Sequence, residues 1–197
     1  VPIDPTSPAT STPTPVPTPA ATSSAPAEAP TPSEPGTPEP TAASSDGPAA
    51  NIPVPEKPAL ADENTVEGLE AFTEYWFELL NYAYITNDWE PFEAVTDPGC
   101  DTCVAIRSSV EEVYEQGQWI AGAEIQMLRF ASDFEINTSG SINSFVENQQ
   151  AEILYFDSDG TQLGSDPEQS DPSLDVVIAV WDDDSWFLLD FGRPEGT

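Results

Sequence analysis

Cys100 and Cys103, with Asp101 and Thr102 between them, are the only cysteines of the chain. A C-x-x-C pair ahead of a helix has two chemistries. The positive end of the helix dipole would lower a thiolate pKa and support thiol exchange. Thioredoxin-type pairs, however, follow a strand in a βαβ setting, whereas this pair follows a helical pattern and the Asp97-Pro98-Gly99 turn. The setting favours a structural disulfide, whose short loop stabilises by about 2 kcal/mol. Zinc is disfavoured because the chain has no His and no second cysteine pair.

The lack of histidine also removes the commonest general base, the ordinary serine triad and most transition-metal sites, so any catalysis would rest on carboxylates. Asp157, Asp159 and Asp166, or Asp182 to Asp184, supply oxygens of the kind calcium prefers, but Gly160 comes too early for an EF-hand loop. Solvated turn carboxylates are the expectation there, with no metal and no cofactor. Asn137-Thr138-Ser139 fits the N-glycosylation pattern, which matters only in a eukaryotic secretory host.

Thirty-six acidic residues against Lys57, Arg107, Arg129 and Arg193 give a formal charge of −32. Such a surface repels phosphate backbones and anionic headgroups, which excludes nucleic acid as a direct partner. No apolar run approaches the roughly 20 residues needed to span a bilayer. The chain begins at Val1 without an initiator Met, which is read as a processed or trimmed product. A Pro/Thr/Ser-rich stretch beside an acidic domain, and a cysteine pair suited to oxidation, favour an extracytoplasmic protein, secreted or held at the cell surface.

All nineteen aromatic residues fall between Phe72 and Phe191, while residues 1–58 hold seventeen of the twenty-two prolines. Residues 1–57 are therefore read as a disordered Pro/Thr/Ala/Ser-rich tether, which would reach on the order of 180 Å at ~3.1 Å per residue if fully extended. Residues 58–194 are read as one folded domain.

Within it, Leu69, Phe72, Trp76, Leu79, Leu80 and Ala83 recur at helical spacing, with Asn64 as the expected cap. A short helix is expected after Asp88, and a third from Asp101 or Thr102 to Gly117. The period then changes, and residues 123–134, 145–156, 174–181 and 186–191 read as antiparallel strands. Asp182-Asp183-Asp184-Ser185 reads as a tight hairpin turn.

Pro58-Ala59-Leu60-Ala61, Glu67-Gly68 with Phe72, Tyr82-Ala83-Tyr84, Asn87-Asp88 and Cys100-Asp101-Thr102-Cys103 together resemble an uncharacterised family of actinobacterial secreted lipoproteins, a domain of unknown function, over about residues 56 to 193. The element order is similar to the nuclear-transport-factor-2-like cone, an α+β fold. This implies three N-terminal helices packed on one curved antiparallel sheet of four to six strands. The resemblance also implies a lipidated cysteine upstream of Val1, the only link to a membrane.

In cone-fold enzymes the opening between sheet and helices is lined by polar groups, which makes Tyr82, Tyr84, Trp89, Arg129 and Asp190 pocket candidates. The alternative is that Tyr and Trp supply core area and that Arg129 pairs with a nearby carboxylate. The leading expectation is a non-catalytic binding or assembly module on a wall-spanning tether. Its partner would be a cell-envelope protein, a glycan or a small apolar ligand, and a homodimer is also open. The competing expectation is a small isomerase, dehydratase or hydrolase acting on an apolar ligand.

Overall fold

The structure, a computed structural model, describes residues 38–194. Residues 1–37, most of the expected tether, lie outside the described residues.

Helix α1 spans Val66–Thr86 and buries Leu69, Phe72, Trp76, Leu79, Leu80 and Ala83, the stripe its periodicity predicts. The cap is one residue later than expected: Thr65 Oγ1, not Asn64, accepts from the Gly68 amide at 3.0 Å. The helix stops at Asn87, which adopts a left-handed φ of 56°. Helix α2 (Glu90–Glu93) is a single turn that contains Pro91. Helix α3 (Asp101–Glu115) starts at Cys100, whose Sγ accepts from the Cys103 amide at 3.2 Å.

Seven strands follow: β1 (Trp119–Gly122), β2 (Ile125–Ala131), β3 (Ile142–Gln150), β4 (Ile153–Phe156), β5 (Gln162–Asp166), β6 (Ser173–Asp182) and β7 (Ser185–Gly192). They form two antiparallel sheets, one ordered β1-β4-β5 and the other β2-β3-β6-β7. The fold is thus β-rich, and the expected cone with three helices on a single curved sheet is corrected.

The physical reason for two sheets is a paired break. Gly122 and Ala123 have φ of 75° and 65°, so the chain turns sharply between β1 and β2. Opposite them, Ala151 and Glu152 separate β3 from β4: the Ala123 amide donates to Glu152 O at 3.0 Å and the Ala151 amide to Glu124 O at 2.8 Å. A Cβ at position 122 would stand 2.3 Å from Glu152 O, so only glycine fits. The β-rich segment read as one strand over 145–156 is therefore two strands in two sheets. The β6–β7 hairpin is as expected, with Asp183 and Asp184 at φ of 46° and 60°.

The core centres on Trp76, fully buried, with ring centroids 5.1–5.2 Å from Phe77, Phe92 and Phe191. A smaller cluster of Trp119, Ala121 and Phe156 lies on the three-stranded sheet. Residues 38–57, which the composition assigns to the tether, fold over that cluster. Thr41 and Ala50 bridge, the Trp119 Nε1–H donates to Ser44 O at 2.9 Å, and Ala43 packs on the ring cluster. Gly160 passes so close that a Cβ there would meet Ser45 O at 2.2 Å. Alanine- and proline-rich sequence packs here because the aromatic surface is supplied by the sheet.

A chain starting at Glu56 is accordingly expected to unfold more easily than one starting at Pro38. Re-exposing parts of two aromatic faces costs about 2 kcal/mol, or roughly 4–8 °C of Tm for a domain of this size. Calorimetry of the two chains decides, and equal melting points would show that the 38–57 segment rests on the sheet without stabilising it.

Candidate functional site

The sequence-predicted site residues are not brought together. Tyr82 and Tyr84 both lie on α1, half-buried and two positions apart on different faces. The Tyr82 hydroxyl donates to Asp88 Oδ2 at 3.0 Å. Trp89 is buried, donates from Nε1 to Asn87 Oδ1 at 3.0 Å, and packs edge-on to Phe92. Arg129 stands on edge strand β2, largely exposed, with Nε 3.3 Å from Glu147 Oε2. Asp190 is exposed on β7, the opposite edge of the same sheet, where its Oδ1 accepts from the Phe191 amide. Asp190 does line a shallow depression of about 370 Å³ over Phe145, Val176 and Ile178, on the side of the sheet away from the core.

Nor do the tyrosines make an acid–base set. Burial raises the phenol pKa of Tyr82, with the Asp88 carboxylate adding to it, and burial raises that of Tyr84 against an opposing hydrogen bond with Gln150. The Tyr114 hydroxyl, 3.2 Å from Tyr84 O, is pushed by burial up to about 12. Tyr155 reaches about 12 through burial and its 2.8 Å bond to Asp166 Oδ2. All are neutral phenols at physiological pH.

A nearer approach to a reactive pair is Ser173 Oγ, 2.9 Å from Asp175 Oδ2. There the buried Asn148 also donates to Asp175 at 2.8 Å and accepts from Ser173 at 3.0 Å, tying both groups into a closed β3–β6 network.

The largest concavity among these sites was missed by sequence reasoning. It is a cleft of about 550 Å³ between α2, the turn at 96–98 and one face of α3, lined by Phe92, Glu93, Thr96, Asp97, Pro98, Cys103, Val104, Arg107, Ser108 and Glu111. Its base is apolar. Phe92 is buried against Trp76 and Trp89, while Val104 stays 48% exposed on α3. Its rim is charged, and the Arg107 guanidinium spans it: Nη1 pairs with Glu93 on α2, and Nε binds Glu111 Oε1 at 2.8 Å one turn along α3.

The 96–98 wall is fixed from behind. Thr96 Oγ1 accepts from Trp76 Nε1–H at 2.8 Å, and residues 95–97 run beside β7, with Leu188 N donating to Val95 O and Asp97 N to Leu188 O. The only advance signal for this site was the disulfide. Cys100 and Cys103 are bonded, with Cα atoms 5.3 Å apart, and the bridge holds the turn that forms the wall to the first turn of α3.

Residues 38–191 match the model of a family described as "Family of unknown function (DUF6318)", a span that begins at Pro38, the first residue of the described fold. No curated protein matches the chain. Among solved structures, the intermembrane space region of the chloroplast protein ARC6 is similar at 12% identity, over 65% of this chain and 95% of that one, with a TM-score of 0.42.

Two outcomes are expected. Cys100 and Cys103 are 0% and 4% exposed, so alkylating agents should not label them in the folded protein under mild reductant. Replacing both with Ser should cost about 2 kcal/mol and lower Tm by roughly 4–8 °C; rapid native labelling would instead mark an exchanging thiol pair.

The second outcome concerns alkaline pH. Below pH 10 the phenols are neutral in both states, so their contribution to stability is whole. As pH rises from the ordinary value of 10.0 towards about 12, Tyr114 ionises in the unfolded chain before it does in the fold, and stability falls. Tyr114→Phe should flatten that fall, as read by denaturant titrations across the window alongside absorbance at 295 nm. An unchanged slope would show that Tyr114 titrates normally.

Proposed function

We propose, for a chain that belongs to the DUF6318 family of unknown function, that it is an extracytoplasmic, non-catalytic binding module whose recognition site is the α2–α3 cleft. The observation that carries this is where the space lies. Between α1 and the four-stranded sheet the core is packed by Trp76, Phe72, Phe77, Phe191 and Trp186, leaving a depression of about 320 Å³ at the α1–β2 edge, while the larger, apolar-based cleft of about 550 Å³ sits outside that core on the α2–α3 surface. Binding sites of this kind are mostly apolar with a few placed polar groups, which is the composition of this cleft.

The extracytoplasmic setting is supported by the disulfide, a bond that persists in oxidising compartments. No helix among the described residues is long and apolar enough to cross a membrane. A lipid anchor ahead of Val1 and a tether that carries the module through a cell wall complete the proposal; the proline-rich composition of residues 1–37 supports the tether. A small enzyme is the weaker reading, because Tyr82 and Tyr84 lie on α1, Trp89 is buried, and Arg129 and Asp190 stand on opposite edge strands of one sheet, so the five are not brought together.

The test is a photo-crosslinking residue introduced at Ser108, exposed on the cleft rim, and separately at the exposed Ser139 as a control, in the protein's native cell envelope. The expected result is one reproducible adduct from position 108 and none from 139. Equal adduct patterns from both positions, or the protein found only in the cytosolic fraction, would overturn the proposal.

A further inference from the structure

The same cleft carries information about the chemistry of what it binds. Glu93, Asp97 and Glu111 stand against a single guanidinium, that of Arg107. Glu93 and Glu111 reach that guanidinium from two different helices, so their carboxylates are already spaced to hold one cationic fork. The ion pairs are weak holders of their own cation: the side chains of Arg107, Glu93 and Glu111 are 39%, 49% and 35% exposed, and half-exposed pairs contribute little.

Beside them, Val104 is nearly half exposed over the buried Phe92 ring, with Pro98 on the facing wall. The cleft therefore offers an apolar floor next to a carboxylate pair. An anion would meet three carboxylates there, and a neutral apolar ligand would strip water from them without replacement. A divalent metal has no suitable cluster among the described residues. At longer range the chain carries −32 charges, which steers cations towards any concave acidic site.

Resting on the reading of this cleft as the binding site, we propose that its occupant is a basic segment of a partner protein, a Lys or Arg flanked by apolar side chains. The partner's cation takes the place of Arg107 between Glu93 and Glu111, and its apolar neighbours lie on Val104, Pro98 and Phe92. In the free protein Arg107 is a placeholder that keeps the two carboxylates apart and paired.

The test uses three synthetic tripeptides, acetylated and amidated, with the sequences Leu-Arg-Leu, Leu-Gln-Leu and Leu-Glu-Leu, titrated into the isotope-labelled full chain while backbone amide shifts are followed. Leu-Arg-Leu should move amides at 93–97 and 103–111, with the other two far weaker. Arg107→Ala should tighten Leu-Arg-Leu at least about threefold, the scale of a half-exposed pair released, and Arg107→Lys, which keeps a placeholder, should not. Glu93→Gln with Glu111→Gln should weaken it at least about threefold, the same half-exposed scale.

Leu-Gln-Leu binding as tightly as Leu-Arg-Leu would overturn the charge requirement while leaving the cleft a binding site. Weaker binding by Arg107→Ala would make Arg107 a ligand contact and overturn the exchange. Shifts scattered over the acidic surface, or no shifts from any peptide although Ser108 gives its adduct, would overturn the basic segment itself and leave the module reading standing. Loss of the Ser108 adduct as well would remove both.

Discussion

The buried indole of Trp76 is the constraint on which the arrangement of this protein depends. Its ring is shared by α1, α2 and β7 through Phe77, Phe92 and Phe191, so the last strand must meet the first two helices at one point. An indole also brings an N–H that has to be satisfied once it leaves water. Thr96 Oγ1 meets that requirement and draws the 95–97 segment against the edge of β7, where Leu188 closes two backbone hydrogen bonds. The side of this segment that faces away from Trp76 is the wall of the cleft. The proposed recognition surface is thus the outer face of the aromatic core around Trp76, which makes its shape a property of the fold and not of a loose loop.

A second constraint is local, and it sets the sheets. Gly122 and Ala123 take left-handed angles side by side, and Glu152 supplies the carbonyl that the turning chain needs. Because the break occurs on two paired strands at once, the ladder continues on both sides but in different planes. The three-stranded sheet then has a face of its own to cover, with Trp119 and Phe156 stacked on it. The segment at 38–57 answers that need with small side chains and a backbone carbonyl for Trp119.

How much of this was legible in the sequence follows from which signals are periodic. Helix α1, with six apolar positions on one face, and the Asp183-Asp184 turn were legible because each depends on residues close in the chain. The split at Ala151-Glu152 was not, since no proline or glycine within residues 145–156 marks it; the marker stands on the partner strand, at Gly122. The 38–57 segment was hidden because composition measures what a segment can bury of its own, not what a distant sheet asks it to cover. The cleft was hidden for a similar reason: Val104, Arg107 and Glu111 share one face of α3, but nothing in the sequence shows that α2 brings Glu93 to Arg107. Of the site, the disulfide beside the wall was readable, since two cysteines three positions apart after a Pro-Gly turn favour a structural bridge.

The surplus of acid explains why one cleft can be electrostatically distinct on so acidic a molecule. With four cations for thirty-six acids, ion pairs cannot neutralise the surface, and many carboxylates are held by backbone amides instead. Asp88, Asp97, Asp133, Asp157 and Asp159 each accept an amide within two residues, and for Asp159 the bonds from Thr161 lower its carboxyl pKa. Such carboxylates shape turns without a cation beside them among the described residues, so the field around the protein remains. On a convex turn that field is spread into water. In the α2–α3 cleft it is concentrated between low-dielectric walls, with Phe92 and Val104 beneath and two carboxylates converging on one guanidinium. On the proposed reading, the same acidity that spreads weakly over the turns would act selectively where Glu93 and Glu111 converge on Arg107.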